Sequence, residues 1–410
     1  MAQPKVTIIQ GNGNLGRGQT NLDGVAALVL GAAALPVAAG NAVLGTAFII
    51  NSLTEAIGLG ITPDYDLANT VRVYGHIADF YQEGDGPELH VLLVPQATTL
   101  TQMLDKSLAF AAPLLRDAGG RIKLLAVARN PATGAPAATI LDGLDSDVSN
   151  ALVKAKELRQ AEFDQYRYPN IIIEGRSFSG NTASVKDLRA VDGPLANRVS
   201  VCLAAEPTQS LLYPGYAAVG LLLGRAARVP VQRNVGRVKD GAVAGVLNAG
   251  LSNGLALSAY SEAQLTALND KGYIYLRKHV GVDGFFFNDD HTATVLSDDY
   301  SGISRGRVMD KASTLTHQVY TIELLDEIDV DPTTGKMQPA VIKSYQRSVE
   351  RSIEENMLVN GEASGVTVTV DPNQNVLSTD RIQTVVAITP KGTARQIVAE
   401  LNYANPLATQ

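Results

Sequence analysis

Residues Leu89–Arg129 read LHVLLVPQATTLTQMLDKSLAFAAPLLRDAGGRIKLLAVAR, and the texture of this stretch decides the fold class. It opens on the apolar run LHVLLVP, passes through a helix-like segment, Thr99 to Gly119, that stops at Gly119 and Gly120, and ends on a second apolar run, IKLLAVAR. Strands that are apolar throughout belong to sheets covered on both faces, and a helix between two of them is the usual crossover of a parallel pair. The pattern repeats outward. The helix-like SDVSNALVKAKELRQAEFDQY is followed by the strand runs NIIIEGR and RVSVCLAAE. From about Asn21 to Ala244 the alternation predicts a largely parallel α/β sheet. Gly24 to Ile50 is apolar too, but Pro36, Gly40 and Asn41 interrupt it. A membrane-spanning helix needs about 20 continuous apolar residues, so this part reads as strand and loop.

The chain has 410 residues, 45% hydrophobic and only 18% charged, enough for two or three domains and a substantial core. A formal charge of −7 without a Lys/Arg cluster argues against a nucleic-acid-binding face. Cys202 is the only cysteine, which excludes an intrachain disulfide and a zinc site built on several cysteines. Its apolar surroundings predict a buried small hydrophobe. The opening MAQPKVTIIQGNGNLGRGQTN lacks the apolar core of a signal peptide. The expectation is a soluble protein made in a reducing cytoplasm.

Past Tyr300 the texture changes. Two helices are predicted, RVMDKASTLTHQVYTIELLDEI and PAVIKSYQRSVERSIEENMLVNG, the second closed by Gly361. Three alternating strands follow, GVTVTVD, RIQTVVAITP and RQIVAELNY, which makes a small α+β domain. At the other end, KVTIIQ is β-prone and GNGNLGRGQTN reads as a flexible tether.

Four stretches invite chemistry. Asn288–Thr292, NDDHT, could offer Asp289, Asp290 and His291 to a metal, yet three consecutive side chains seldom converge on one ion. His76, His90, His279 and His317 add no ligand spacing. A polar turn after an inward-packed aromatic strand accounts for these residues. GNGNLGRG lacks the Lys-Ser/Thr of a phosphate loop. EGRSFSGN presents Ser177 and Ser179 near glycines but misses the G-x-S-x-G elbow, with no acid or histidine marked out as a partner. In VIKSYQRSVERSIEEN, Lys343, Arg347 and Arg351 recur every four residues as one basic stripe, with Glu350 and Glu354 alongside. A solvated helix face with internal ion pairs is the simpler account of that stripe taken alone.

Several stretches in order resemble the sheath proteins of contractile phage tails and related bacterial injection systems. These are LGTAFIINSLTEAIGLGI, HIADFYQEGDGPELHVLLVP, GYIYLRKHVGVDGFFFNDDHT, SRGRVMDKASTLTHQVY, and a final layout of helix, LVNG, VTVTVD, Asn375, a strand ending at Pro390 and a last strand near the terminus. The resemblance spans nearly the whole chain and makes VGVDGFFFNDDHT a structural hairpin region. It implies an N-terminal extended arm (1–20), a subtilisin-like but non-catalytic α/β outer domain (21–298), an inner α+β domain (299–395) and a C-terminal strand arm (396–410). Val6, Ile8 and Ile9, with Ile397, Ala399 and Leu401, would be donated to neighbouring subunits by β-augmentation. Lys343, Arg347 and Arg351 would face an inner tube.

The implied activity is mechanical: a helical homo-oligomer of six-membered rings, released by a baseplate, contracts and drives the tube. Baseplate, tail terminator and tube are the implied partners. No catalytic residue, cofactor, metal, nucleic acid or membrane insertion is implied, and assembly in the bacterial cytoplasm as part of a phage tail or tail-like particle is expected. A hydrolase on the α/β domain and another self-assembling virion component are the alternative readings.

Overall fold

The valine, leucine and isoleucine runs pair with one another. In a computed structural model of the chain, residues 22–36, 40–83 and 88–403 are described. Strands β1 (Ala26–Ala32), β2 (Ala47–Ile50), β3 (Leu89–Pro95), β4 (Leu124–Ala128), β5 (Asn170–Glu174) and β6 (Val199–Cys202) form a six-stranded sheet in the order β2-β3-β1-β4-β5-β6. All neighbours are parallel except β2, which runs antiparallel to β3 at one edge. The strand period of two divides the core. Leu28, Leu30, Val91 and Ala126 face one side, and Ala27, Val29, Leu92 and Val127 face the other.

Helices cover both faces. Val73, Ile77 and Phe80 of α2 (Val73–Gln82) and Leu221, Leu222 and Leu223 of α5 (Val219–Arg228) pack on the first face. Leu114 and Leu115 of α3 (Ala111–Asp117) and Val148, Ala151, Leu152, Ala155 and Leu158 of α4 (Ser146–Phe163) pack on the second. The short α1 (Pro63–Asn69) carries Asp66, whose carboxylate accepts from the backbone N–H groups of Val73, Tyr74 and Gly75 and so caps α2. Gly220 and Gly224 set how closely α5 approaches α2. A Cβ on either would stand 2.1 Å from the His76 carbonyl oxygen or 2.5 Å from that of Phe80.

The segment from Thr99 to Gly119 is not one helix. A short turn, Leu100–Met103, is closed by a capping box at Thr99, and α3 begins only at Ala111. Asp105 takes the Ser107 N–H at 2.9 Å and the Lys154 ammonium at 3.1 Å, so this local side-chain bonding competes with helix propagation.

A small antiparallel pair, β7 (Leu276–Arg277) and β8 (Phe286–Phe287), makes the hairpin expected in the VGVDGFFFNDDHT region. After it comes α6 (Ile303–Ile322). The chain divides between Leu325 and Asp326 into two compact units, so α6 belongs with the sheet. Buried Asp310 explains this. It accepts from Arg159 of α4 at 3.1 Å, from Arg198 at 2.9 and 3.1 Å, and from Asn170 of β5 at 3.0 Å.

In the second unit α7 (Pro339–Ile353) packs on a two-stranded antiparallel ladder of β9 (Ala363–Val370) and β10 (Thr384–Pro390). Ile342, Val349, Ile353, Met357, Val368 and Val370 are buried here. Gly361 ends the helical run with φ of 69°. The third predicted strand, Arg395–Tyr403, is exposed and joins no ladder among the described residues.

Candidate functional site

The first candidate is the carboxylate and imidazole run after β8. Phe286 and Phe287 turn into the core as expected, but the polar residues behind them are buried too. They form a strap rather than a solvent-facing turn. Ala293 N–H donates to Val199 O at 2.7 Å and Ser200 Oγ donates to His291 O at 2.7 Å, which fixes the strap to the edge of β6. His291 Nε2 lies 2.9 Å from Asn269 Oδ1, while Arg189 donates to Nδ1, so the ring hydrogen sits on Nε2. Asp290 accepts the Ser304 N–H at 2.8 Å with Oδ2 and the Ile303 N–H at 2.7 Å with its carbonyl. The segment therefore anchors the N-terminus of α6. Among the described residues no group of His, Cys, Asp and Glu is arranged to hold a metal ion.

Ser177 and Ser179 line a cleft of about 620 Å³ beyond the carboxyl ends of β4 and β5, together with Arg129, Asn130, Arg176 and Tyr213. Open α/β sheets place ligand sites at such ends. Ser177 has a left-handed backbone, φ 51°, and its N–H donates to Gly215 O at 2.9 Å. Beneath the cleft, buried Glu174 accepts the N–H groups of Arg129 and Ala217 at 2.9 and 3.0 Å, and burial pushes its carboxyl pKa up. Among the described residues no histidine lines the cleft, so neither hydroxyl has an imidazole base beside it. Cys202 is fully buried, and that burial pushes its thiol up to about 12.

The basic stripe lies on the exposed side of α7. Arg347 pairs with Glu350 at 3.6 Å and Glu354 at 3.1 Å, and Arg351 with Glu355 at 2.7 Å. Lys343 is exposed and has no ion-pair partner among the described residues. Acidic side chains one and two turns along thus balance the two arginines, a pairing already hinted at by Glu350 and Glu354.

The strand-arm residues fall into two groups. Val6, Ile8 and Ile9 lie outside the described residues. Ile397 is 84% exposed and Leu401 93%, beside exposed Ala399, Val398 and Tyr403. Large apolar side chains this bare cost free energy in water, about 1.5–3 kcal/mol relative to full burial. The β9–β10 ladder has two outer edges without a strand partner among the described residues.

The Asp310 cluster escaped the sequence reading. Its one signal is a carboxylate on the side of α6 that also carries Ile303 and Arg307, both buried; nothing in the local sequence names Arg159 or Arg198 as its partners.

No curated protein matches the sequence. Among solved structures, a chain from the cryo-EM structure of the anti-feeding prophage baseplate is 15% identical, with a TM-score of 0.62 over 99% of this chain and 100% of that one. A chain of the anti-feeding prophage helical sheath in the contracted state is 16% identical, TM-score 0.62, over 98% and 100%. A chain of the contracted PVC sheath complex, from an extracellular contractile injection system, is 13% identical, TM-score 0.56, over 98% of both. The fold is thus the one found in those assemblies, a mixed α/β unit followed by a smaller C-terminal unit. Residues 3–291 match the DUF2586 N-terminal domain and residues 299–408 the DUF2586 C-terminal domain, so the chain belongs to the DUF2586 family.

Proposed function

We propose that this protein is the structural subunit of a contractile sheath, polymerising as a helical homo-oligomer around an inner tube and contracting to drive that tube through a target envelope. The observation that carries the reading is the end-to-end likeness to sheath chains, covering 98% or more of each partner. The bare apolar segment around Ile397 and Leu401 supports it, because a donated strand has no ladder in an isolated subunit. Head-to-tail, non-closing contacts of one chain produce helical filaments, so no second scaffold is needed.

In this reading the sheet unit is the outer domain, with a subtilisin-like layout stripped of protease chemistry. The unit holding α7 lies inward, with Lys343, Arg347 and Arg351 toward the tube. Residues 1–20 and 396–410 are the arms, rings are six-membered, and a baseplate and a terminator bound the array. Assembly takes place in the cytoplasm of a bacterium. The work of contraction comes from lateral contacts that differ between two subunit arrangements, without nucleotide or cofactor.

Electron microscopy of the purified full chain tests this. Striated tubes or stacked rings are expected. Uniform single subunits at every concentration, with hydrolytic activity lost in Ser177→Ala or Ser179→Ala, would overturn it in favour of an enzyme.

A further inference from the structure

We propose that Asp289 and Asp290 come to share one proton in mildly acid solution and lose it towards neutral pH, and that this shared proton sets how firmly α6 is held to the sheet. The two side chains are successive and both buried, and the Asp290 N–H donates to Asp289 Oδ1 at 2.9 Å. A single nitrogen, Asn234 Nδ2, donates to Oδ1 of both, at 2.8 Å for Asp290. Two ionised carboxylates in so tight a space repel, and a proton between them replaces that repulsion with a hydrogen bond.

The groups around the pair come from four elements. Asn234 stands on the loop after α5. The Ser304 N–H of α6 donates to Asp290 Oδ2, and Gly302 leaves that carboxylate its room, since a Cβ there would lie 2.8 Å from Oδ1. His291, on the same strap, has Nδ1 3.8 Å from Asp289 Oδ2. Arg189 donates to that same Nδ1, and the other ring nitrogen faces Asn269. Burial, with the Asp289 charge second, pushes the Asp290 carboxyl up to about 6. The sign follows. The folded chain binds the proton more tightly than the unfolded one, so this pair adds stability as pH falls below about 6 and loses it as pH rises through that value. The consequence concerns the strap, because Asp290 holds the first turn of the helix that leads to the second unit. It does not rest on the sheath reading.

The test is the melting temperature of the full chain at pH 7.5 and pH 5, read as the difference between wild type and Asp290→Asn, so that other titrating groups cancel. Asparagine can still accept from Ser304 and can donate to Asp289, which imitates the protonated acid. The variant should melt about 2–4 °C above wild type at pH 7.5, and the gap should close at pH 5. An Asp290→Asn protein that melts below wild type by the same margin at both values overturns the proposal, for Asp290 would then be an ionised cap. Should that variant fail to fold, Asp289→Asn serves. It should narrow the same pH dependence, and a dependence identical to wild type is the overturning result.

Discussion

The two units solve the same problem, where to put strand edges and charges, in opposite ways. The larger one closes its own accounts. At one edge of its sheet β6 is covered by the strap from Asp289 to Thr294 and by Ile274, whose N–H donates to Val201 O at 3.0 Å. Its buried ions meet partners, as Asp310 does with Arg159 and Arg198, and Arg225 with Glu83 at 3.0 Å. The smaller unit has a two-stranded ladder, and an isolated two-stranded hairpin is marginal in water. It stands on α7 and leaves Ile397, Val398, Leu401 and Tyr403 bare. Under the proposed sheath function a self-sufficient larger unit and a bare tail suit assembly, because a strand from another copy would cover the tail without disturbing the core.

The contrast can be broken at its strongest point first. Asp310→Ala leaves two guanidinium groups buried without their shared carboxylate, and breaking a buried pair costs about 3–5 kcal/mol. Urea denaturation should show that loss, and a change under 1 kcal/mol would mean the larger unit is not held by its internal charges. His291→Ala removes the bonds that tie the strap to Asn269 and Arg189. Leaving buried polar groups unsatisfied costs about 1–3 kcal/mol each, so the variant should be destabilised, whereas Ser179→Ala at the cleft should change assembly and stability little. Equal behaviour of the two would place the strap and the cleft on the same footing.

The tail should behave in the opposite sense. Replacing Ile397 and Leu401 by Asp should leave the melting of the isolated subunit within about 0.5 kcal/mol, as for surface changes generally, yet abolish tubes in electron micrographs. Normal tubes would make the exposed segment a passive terminus. Reversing Lys343, Arg347 and Arg351 to Glu removes intrahelical pairs contributing about 0.3–0.5 kcal/mol each. Folding should persist and tube-filled sheaths should be lost. The smallest effect is expected at Cys202, whose thiol should stay unlabelled by an alkylating reagent until the chain unfolds.

Apolar periodicity by itself determined the architecture. LHVLLVP, IKLLAVAR and NIIIEGR could only be strands buried on both faces, and the helices between them required a mainly parallel sheet, because burial of continuous apolar runs is a local property of the sequence. The helix ending at Gly361 was legible for the same reason, and the absence of an elbow around Ser177 was legible from spacing. Three features needed the tertiary structure. The break between Met103 and Ala111 arises from Asp105, whose side-chain bonds outweigh a helical pattern that looks continuous. The allegiance of α6 depends on Asp310 meeting Arg159, Arg198 and Asn170, partners more than a hundred residues away. NDDHT looked like a polar turn because five hydrophilic residues in a row predict exposure; the fold instead surrounds them with Asn234, Asn269, Arg189 and the first turn of α6. Polarity is written in the sequence, but whether a polar group meets water or a partner is decided only when distant segments come together.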